Sequence, residues 1–335
     1  MKVEIPFSHR QSAHCESGVL ANLLTHHGLE LSEAMTFGLG AGLFFAYLPF
    51  IKLNHLPLTT FRSAAGGIIK HAAPALGICV TTKRFSREKK AMEALDRLLG
   101  NGVPVGLQIG IYWLPYIPRA FRFHFNAHNL VVYGQQGDEY LISDPVMPGP
   151  VTCPSMDLQR ARFAKGALAP KGRLYYITRM PQKIELAQAA GKAIVKVSKL
   201  MTKTPVPIIG VRGIRFLANR LEKWPVKLGD KKAALYLGQL VRMQEEIGTG
   251  GGGFRFIYAA FLQECGALLA EKSLTGLSEK MTAVGDRWRE FAVIAARICK
   301  GRAEKDDTYA AMADIIRDCA ERERRIFTRL LHLFS

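Results

Sequence analysis

The hydrophobic pattern changes period near residue 181, and that change limits the architectures open to this 335-residue chain. Beyond Pro181, five segments space their apolar residues as helices do. They are KIELAQAAGKAIVKVSKLM, AALYLGQLVRMQEEIG, FRFIYAAFLQECGALLAEKS, LSEKMTAVGDRWREFAVIAARICKG and DTYAAMADIIRDCAERERRIFTRLLHLF. Before it come short runs rich in Val, Ile, Tyr and Leu: VPVGLQIGIYWL (103–114), NLVVYG (129–134), EYLISD (139–144) and GRLYYITR (172–179). These read as strands. KKAMEALDRLLGNG reads as a helix closed by Gly100. The pattern predicts an α+β domain with an antiparallel sheet over 1–180. An all-helical domain follows over 181–335, joined near TRMPQK.

Hydrophobic residues make up 48% of the chain and charged residues 22%, a globular composition. The opening MKVEIPFSHR has no apolar core of the kind a secretory signal needs. Six cysteines, at 15, 79, 153, 265, 299 and 319, are scattered without a CxxC pair. That spacing argues for a reducing compartment, and a cytoplasmic protein is expected. The uncharged stretch from Ala34 to Ile51 is broken by Gly38, Gly40, Gly42 and Pro49. It reads as a buried segment, not a membrane span, and its glycines leave room for close backbone packing or an apolar ligand.

The formal charge of +18 calls for an acidic partner, an anionic surface or nucleic acid. Residues 183–232 hold twelve Lys or Arg against three acids. A solvated helix face explains such a run, and so does a docking surface for an acidic protein. No nucleic-acid motif or aromatic stacking pattern accompanies the charge, so no nucleic-acid partner is expected. A peripheral membrane contact is a further partner that the charge admits.

QSAHCESGVLANLLTHHG (11–28) carries the chemistry. Val19, Leu20, Leu23 and Leu24 form an apolar stripe ending at Gly28, which puts Cys15 at a helix start. Unpaired backbone N–H groups there favour a thiolate. A packed thiol and a metal ligand are the other readings, since His9, His14, His26 and His27 lie close in sequence. The entrance FHFNAH reads as extended, with no HExxH glutamate, so metal is not expected. FHFNAHNLVVYGQQGDEYLISDP (123–145) reads as a hairpin turning at Gln136-Gly137. That register puts Asn129 opposite Asp144 and His128 opposite Pro145. An imidazole beside a carboxylate is how a catalytic base is oriented. A satisfied core histidine and a turn-capping aspartate are the plain readings of the same pair.

HCESGVLANLL, FGLGAGLFFAYLP, YWLPY and HNLVVYG…ISDP together resemble the butirosin biosynthesis protein H N-terminal family. EEIGTGGGGFRFIYAAFLQE and the later helix with Trp288 resemble the helical domain that commonly follows it. The resemblance implies a papain-like cysteine-peptidase fold, used for acyl transfer from an acyl carrier protein to an amine. On matching positions Cys15 is the nucleophile, His128 the base and Asp144 the orienter. Gln11 is the candidate oxyanion donor, beside the Cys15 amide, although it lies closer to the cysteine than in the peptidases. The resemblance implies no resident cofactor, only the phosphopantetheine arm brought by the carrier, and an amine-bearing small molecule as acceptor.

Around that centre, Phe37, Tyr47, Tyr112, Trp113 and Tyr116 are candidate walls of an acyl pocket, with core packing as the plain alternative. Lys196, Lys199 and Lys203 are candidates for carrier docking. GTGGGGFRF (248–256) lacks the Gly-Lys-Ser/Thr of a nucleotide loop. A glycine run opening a helix can still bind an anion, with Arg255 assisting the arm's phosphate. A cysteine peptidase or amidase would use the same triad and differ only in its acceptor, and a non-catalytic scaffold would not need Cys15 at all.

Overall fold

A computed structural model describes residues 2–53 and 55–334. In chain order the elements are β1 (Lys2–Glu4), α1 (Cys15–His26), α2 (Glu33–Leu39), β2 (Leu43–Leu53), β3 (Leu56–Arg62), α3 (Gly67–Ala75), β4 (Cys79–Lys83), α4 (Glu88–Gly100), β5 (Val105–Ile109), β6 (His128–Gln136), β7 (Glu139–Ser143), β8 (Val151–Pro154), α5 (Ser155–Arg162) and β9 (Leu174–Arg179). Helices α6 (Leu186–Thr202), α7 (Gly210–Leu221), α8 (Trp224–Leu228), α9 (Asp230–Val241), α10 (Arg255–Leu268), α11 (Ser273–Cys299) and α12 (Tyr309–Phe334) follow. The chain folds as two compact units, one of residues 1–36 and 69–184, the other of 37–68 and 185–335. The last of the three breaks follows Ile184, and the sequence pattern put a single boundary at 180. A single cut misses residues 37–68, which carry the β2–β3 hairpin into the helical unit.

The first unit is α+β. Its sheet runs β4-β9-β5-β6-β7-β8, with β1 also on β6, and its pairings are antiparallel. Leu95 and Leu99 project from α4 into a core with Leu107, Ile109, Leu130, Val132, Ile142, Leu158 and Leu174. Each such side chain withdrawn from water contributes about 1.5–3 kcal/mol. The predicted run 103–114 is shorter as a strand. It ends at Ile109, and Ile111–Trp113 form a 3-10 turn.

The β6–β7 hairpin differs from its predicted register. Gln136 pairs with Glu139, so the two turn residues are Gly137 and Asp138, and Gly137 adopts φ +63°. That positive φ is what a tight hairpin turn requires and what glycine supplies. A bulge at Tyr133 then moves the pairing one residue back toward the predicted register, to Val131 with Ser143. Continued one residue, this register puts Leu130, not Asn129, opposite Asp144.

The second unit packs around Trp288, which is fully buried and stacks among Phe45, Phe61 and Phe291. Ala34–Ile51 is not one buried segment. It forms α2, a turn and most of β2, buried as far as Tyr47, while Phe50 is 70% exposed. Among the described residues no helix is long and apolar enough to cross a membrane.

The glycine run is structural. The Gly252 N–H donates to Glu245 Oε1 (3.0 Å) and the Gly251 N–H to Thr249 Oγ1 (3.0 Å), so these amides already have internal partners. Arg255 is corrected as a carrier-binding residue. It is fully buried and gives Glu323 two hydrogen bonds of 3.0 Å, while Trp288 Nε1 donates to the same carboxylate. A guanidinium sealed against its own counter-ion cannot greet an incoming phosphate.

Candidate active site

The N-terminal segment prepares α1. Backbone amides of Ala13 and His14 donate to the Glu33 carboxylate at 3.0 and 2.5 Å. His14 is the N-cap, and its Nδ1 accepts from the Ser17 N–H at 3.4 Å. Its imidazole is therefore buried in the cap and does not point to solvent. Cys15 is the first helical residue, where backbone N–H groups lack intrahelical carbonyls. Glu16, in the first turn, is fully buried and accepts from the Ile69 N–H at 3.3 Å.

His128 opens β6 and Asp144 follows the last residue of β7. Folding brings their side chains together: His128 Nε2 donates to Asp144 Oδ2 at 2.8 Å, with both groups buried. Burial alone would depress the imidazolium. The Asp144 charge and hydrogen bond, followed by Cys15, outweigh it and push His128 up to about 10. Nε2 is committed to the aspartate, so Nδ1 is left to meet the thiol. Cys15 Sγ itself lies 3.9 Å from the Ala127 carbonyl.

Two partners complete the carboxylate. The Tyr116 hydroxyl donates to Asp144 Oδ2 at 2.9 Å, and the Val146 N–H donates to Oδ1 at 3.2 Å. Burial first, and then Asp144, hold the Tyr116 phenol well above its ordinary pKa, so it stays a donor. Asn129 is a residue that sequence reasoning passed over. Its Nδ2 donates to Ala127 O at 3.1 Å and lies 3.8 Å from Cys15 Sγ, while Tyr175 donates to its Oδ1 at 2.9 Å. The available signal was a second polar residue at the head of an apolar strand, in HNLVV.

Not every candidate lies at this centre. Gln11 is exposed, and among the described residues no hydrogen bond ties its side chain to Cys15, so the structure does not place it as an oxyanion donor. Phe37 is stacked on Phe254 in the core of the second unit, and Tyr47 packs on Phe216 and Trp224 there. Both are core residues rather than open pocket walls. Tyr116 supports Asp144 instead of facing substrate. Tyr112 and Trp113 are exposed and line a cleft. Lys196 and Lys199 share an exposed face of α6 with Lys192, and Lys203 caps the helix at its C-terminal end. Among the described residues no group of three His, Cys, Asp or Glu is placed to hold a metal ion.

Residues 14–145 match the model of the family "Butirosin biosynthesis protein H, N-terminal". Residues 156–330 match "Domain of unknown function (DUF4872)". No curated protein matches the chain. A solved structure described as a C39-like peptidase from Bacillus anthracis is 16% identical, over 54% of this chain and 100% of that chain. Its TM-score of 0.37 is too low to bear on function. A cysteine opening a helix, a buried His–Asp pair beside it and the first family match point to a cysteine enzyme. Since the second match spans more than half of the chain, the chain belongs to the DUF4872 family, and the stretch ahead of it is similar to the butirosin biosynthesis protein H N-terminal family.

Proposed function

We propose that the protein is a cysteine acyltransferase that takes an acyl group from an acyl carrier protein thioester and passes it to an amine. One observation carries the reading: Cys15 opens α1 while His128, charged through Asp144, interacts with the same thiol. The Cys15 thiolate attacks the thioester carbonyl and a tetrahedral oxyanion forms, facing the amides of the first turn of α1. Its collapse breaks the carbon–sulfur bond to the carrier, whose sulfur leaves with the proton from His128. The acyl group then rests on Cys15 as a thioester. An amine attacks it, His128 takes the amine's proton, and the Cys15 thiolate departs, leaving an amide. Exchange of a thioester for an amide is downhill, so the reading needs no ATP and no resident cofactor. The carrier brings its own phosphopantetheine arm, and the proposal sets the reaction in the cytoplasm, where thiols stay reduced.

The test is acyl-enzyme trapping. Incubation with an acylated carrier, or with an acyl N-acetylcysteamine thioester, is expected to add one acyl mass to Cys15 by peptide mass spectrometry. His128→Ala should abolish the adduct at neutral pH while the fold persists. An amine should discharge the adduct faster than water does. Discharge by water alone would make the protein a hydrolase, and acylation surviving in His128→Ala would remove the proposed base.

A further inference from the structure

We infer that the cleft beside residues 111–122 of the first unit is a binding site for a phosphate ester, held by Arg119, Arg122 and Arg160 against the rings of Tyr112 and Trp113. The cleft has a volume of about 490 Å³, and its other lining groups are Pro115 and Asp157. Small-ligand sites run from roughly 300 to 1,000 Å³. Three guanidinium groups face one carboxylate there. Arg160 is 3.4 Å from Asp157, a long pair in an exposed setting. Arg119 is exposed and its side chain has no hydrogen bond or ion pair among the described residues. Arg122 spends its Nε and Nη2 on the carbonyls of Ile117 and Pro115, which fixes the guanidinium plane and leaves Nη1. Three like charges with a single carboxylate among them repel, and planar guanidinium forks match phosphate oxygens two at a time.

The aromatic wall gives the cleft a second recognition element. Tyr112 is 40% exposed and Trp113 36%. They are ordered nonetheless: His124 stacks on Tyr112 at 4.2 Å, Trp113 meets Tyr112 edge-on at 5.2 Å, and Arg160 lies 5.7 Å from the Trp113 ring centre. A row of rings held in place but left open suits the organic part of an ester better than bare inorganic phosphate. The loop that carries Tyr112, Trp113, Arg119 and Arg122 also carries Tyr116, so one side of the cleft is the segment that supports Asp144.

Two pairs of probes separate phosphate recognition from its source: AMP with adenosine, and 4′-phosphopantetheine with pantetheine. Binding is followed by calorimetry and by tryptophan fluorescence. Trp113 is the reporter, since Trp224 and Trp288 are only 4% and 0% exposed. The Cys15→Ala protein is used throughout, so the result does not depend on acyl transfer or on thiol exchange. In at least one pair the phosphate form should bind about tenfold or more tightly than its dephosphorylated partner, and the advantage should shrink with salt. Arg119→Glu should erase that advantage and Arg119→Lys, which keeps the charge but not the planar fork, should keep part of it, which separates lost charge from lost fold. The pair that shows the effect names the source, nucleotide or pantetheine arm. Equal binding within both pairs, no binding of either ester, or an unchanged advantage in Arg119→Glu would overturn the inference.

Discussion

Asp144 is the residue on which the site turns. Its carboxylate takes a hydrogen bond from His128, one from the Tyr116 hydroxyl and one from the Val146 N–H, all within a buried setting. A charge removed from water survives only with such partners. His128 has a folded pKa of about 10 against 6.5 for a free imidazole. The folded state therefore binds the proton more tightly, and the stabilisation is complete below about pH 6.5 and is lost as pH rises toward 10. In Asp144→Asn the largest raising influence is gone, so the His128 titration followed by NMR should move down sharply. The rate of acyl transfer should fall by roughly 10²–10⁴, because orientation and charge compensation go together. A His128 titration unmoved by Asp144→Asn would detach the pair. Tyr116→Phe keeps the ring but leaves Asp144 one donor short. It should cost about 1.5–3 kcal/mol in denaturant unfolding, the range for hydrogen bonds to charged groups.

At the scale of elements, α1 must come close to the Asp144-Pro145 corner for the thiol to meet the imidazole. Two features hold it there. The Ser12 N–H donates to the Pro145 carbonyl at 2.7 Å. Gly18 faces the same proline, and a Cβ at that position would stand 2.7 Å from both Pro145 Cβ and Ser12 Cβ. The two relevant effects have opposite signs. Alanine in a helix interior gains up to about 1 kcal/mol over glycine. Overpacking against a fixed neighbour costs about 1–3 kcal/mol. Since Pro145 is rigid and adjoins Asp144, the clash should win. Gly18→Ala should lower the melting temperature and slow Cys15 alkylation by iodoacetamide. A stabilised Gly18→Ala protein with normal alkylation would show that α1 has room to spare.

The whole molecule carries an uneven charge, and the proposed carrier would read it. Lys192, Lys196 and Lys199 line one side of α6 and Lys203 caps it, in the most basic part of the chain. Carrier proteins are acidic near their modified serine, so encounter along such a face should be steered and screened by salt. Reversing Lys196, Lys199 and Lys203 to Glu should raise KM for an acylated carrier several-fold, mainly through the on-rate. Turnover of a small acyl thioester should hardly change, since that substrate needs only Cys15 and its surroundings. Equal loss on both substrates would indicate damaged structure. No loss on either would return the face to a solvated helix surface.

Local order was legible from the sequence. The helix opening at Cys15 follows from its apolar stripe, the strands follow from their Val, Ile and Tyr content, and the helical second half follows from its spacing. All of these depend on neighbours within a few residues, which is the range that periodicity and propensity report. The pairing of His128 with Asp144 was also within reach, because a hairpin brings together residues only 16 apart. Its register was not, since the turn falls at Gly137-Asp138, one residue later than expected, and the Tyr133 bulge makes up only part of the resulting offset. Other features were decided only by tertiary contacts. Residues 37–68 joined the helical unit, Arg255 found Glu323 68 residues away, Tyr116 turned onto Asp144, and Gln11 stayed in solvent. A buried charge or phenol takes whichever partner satisfies it in three dimensions, and a single sequence carries no record of which distant residue that will be.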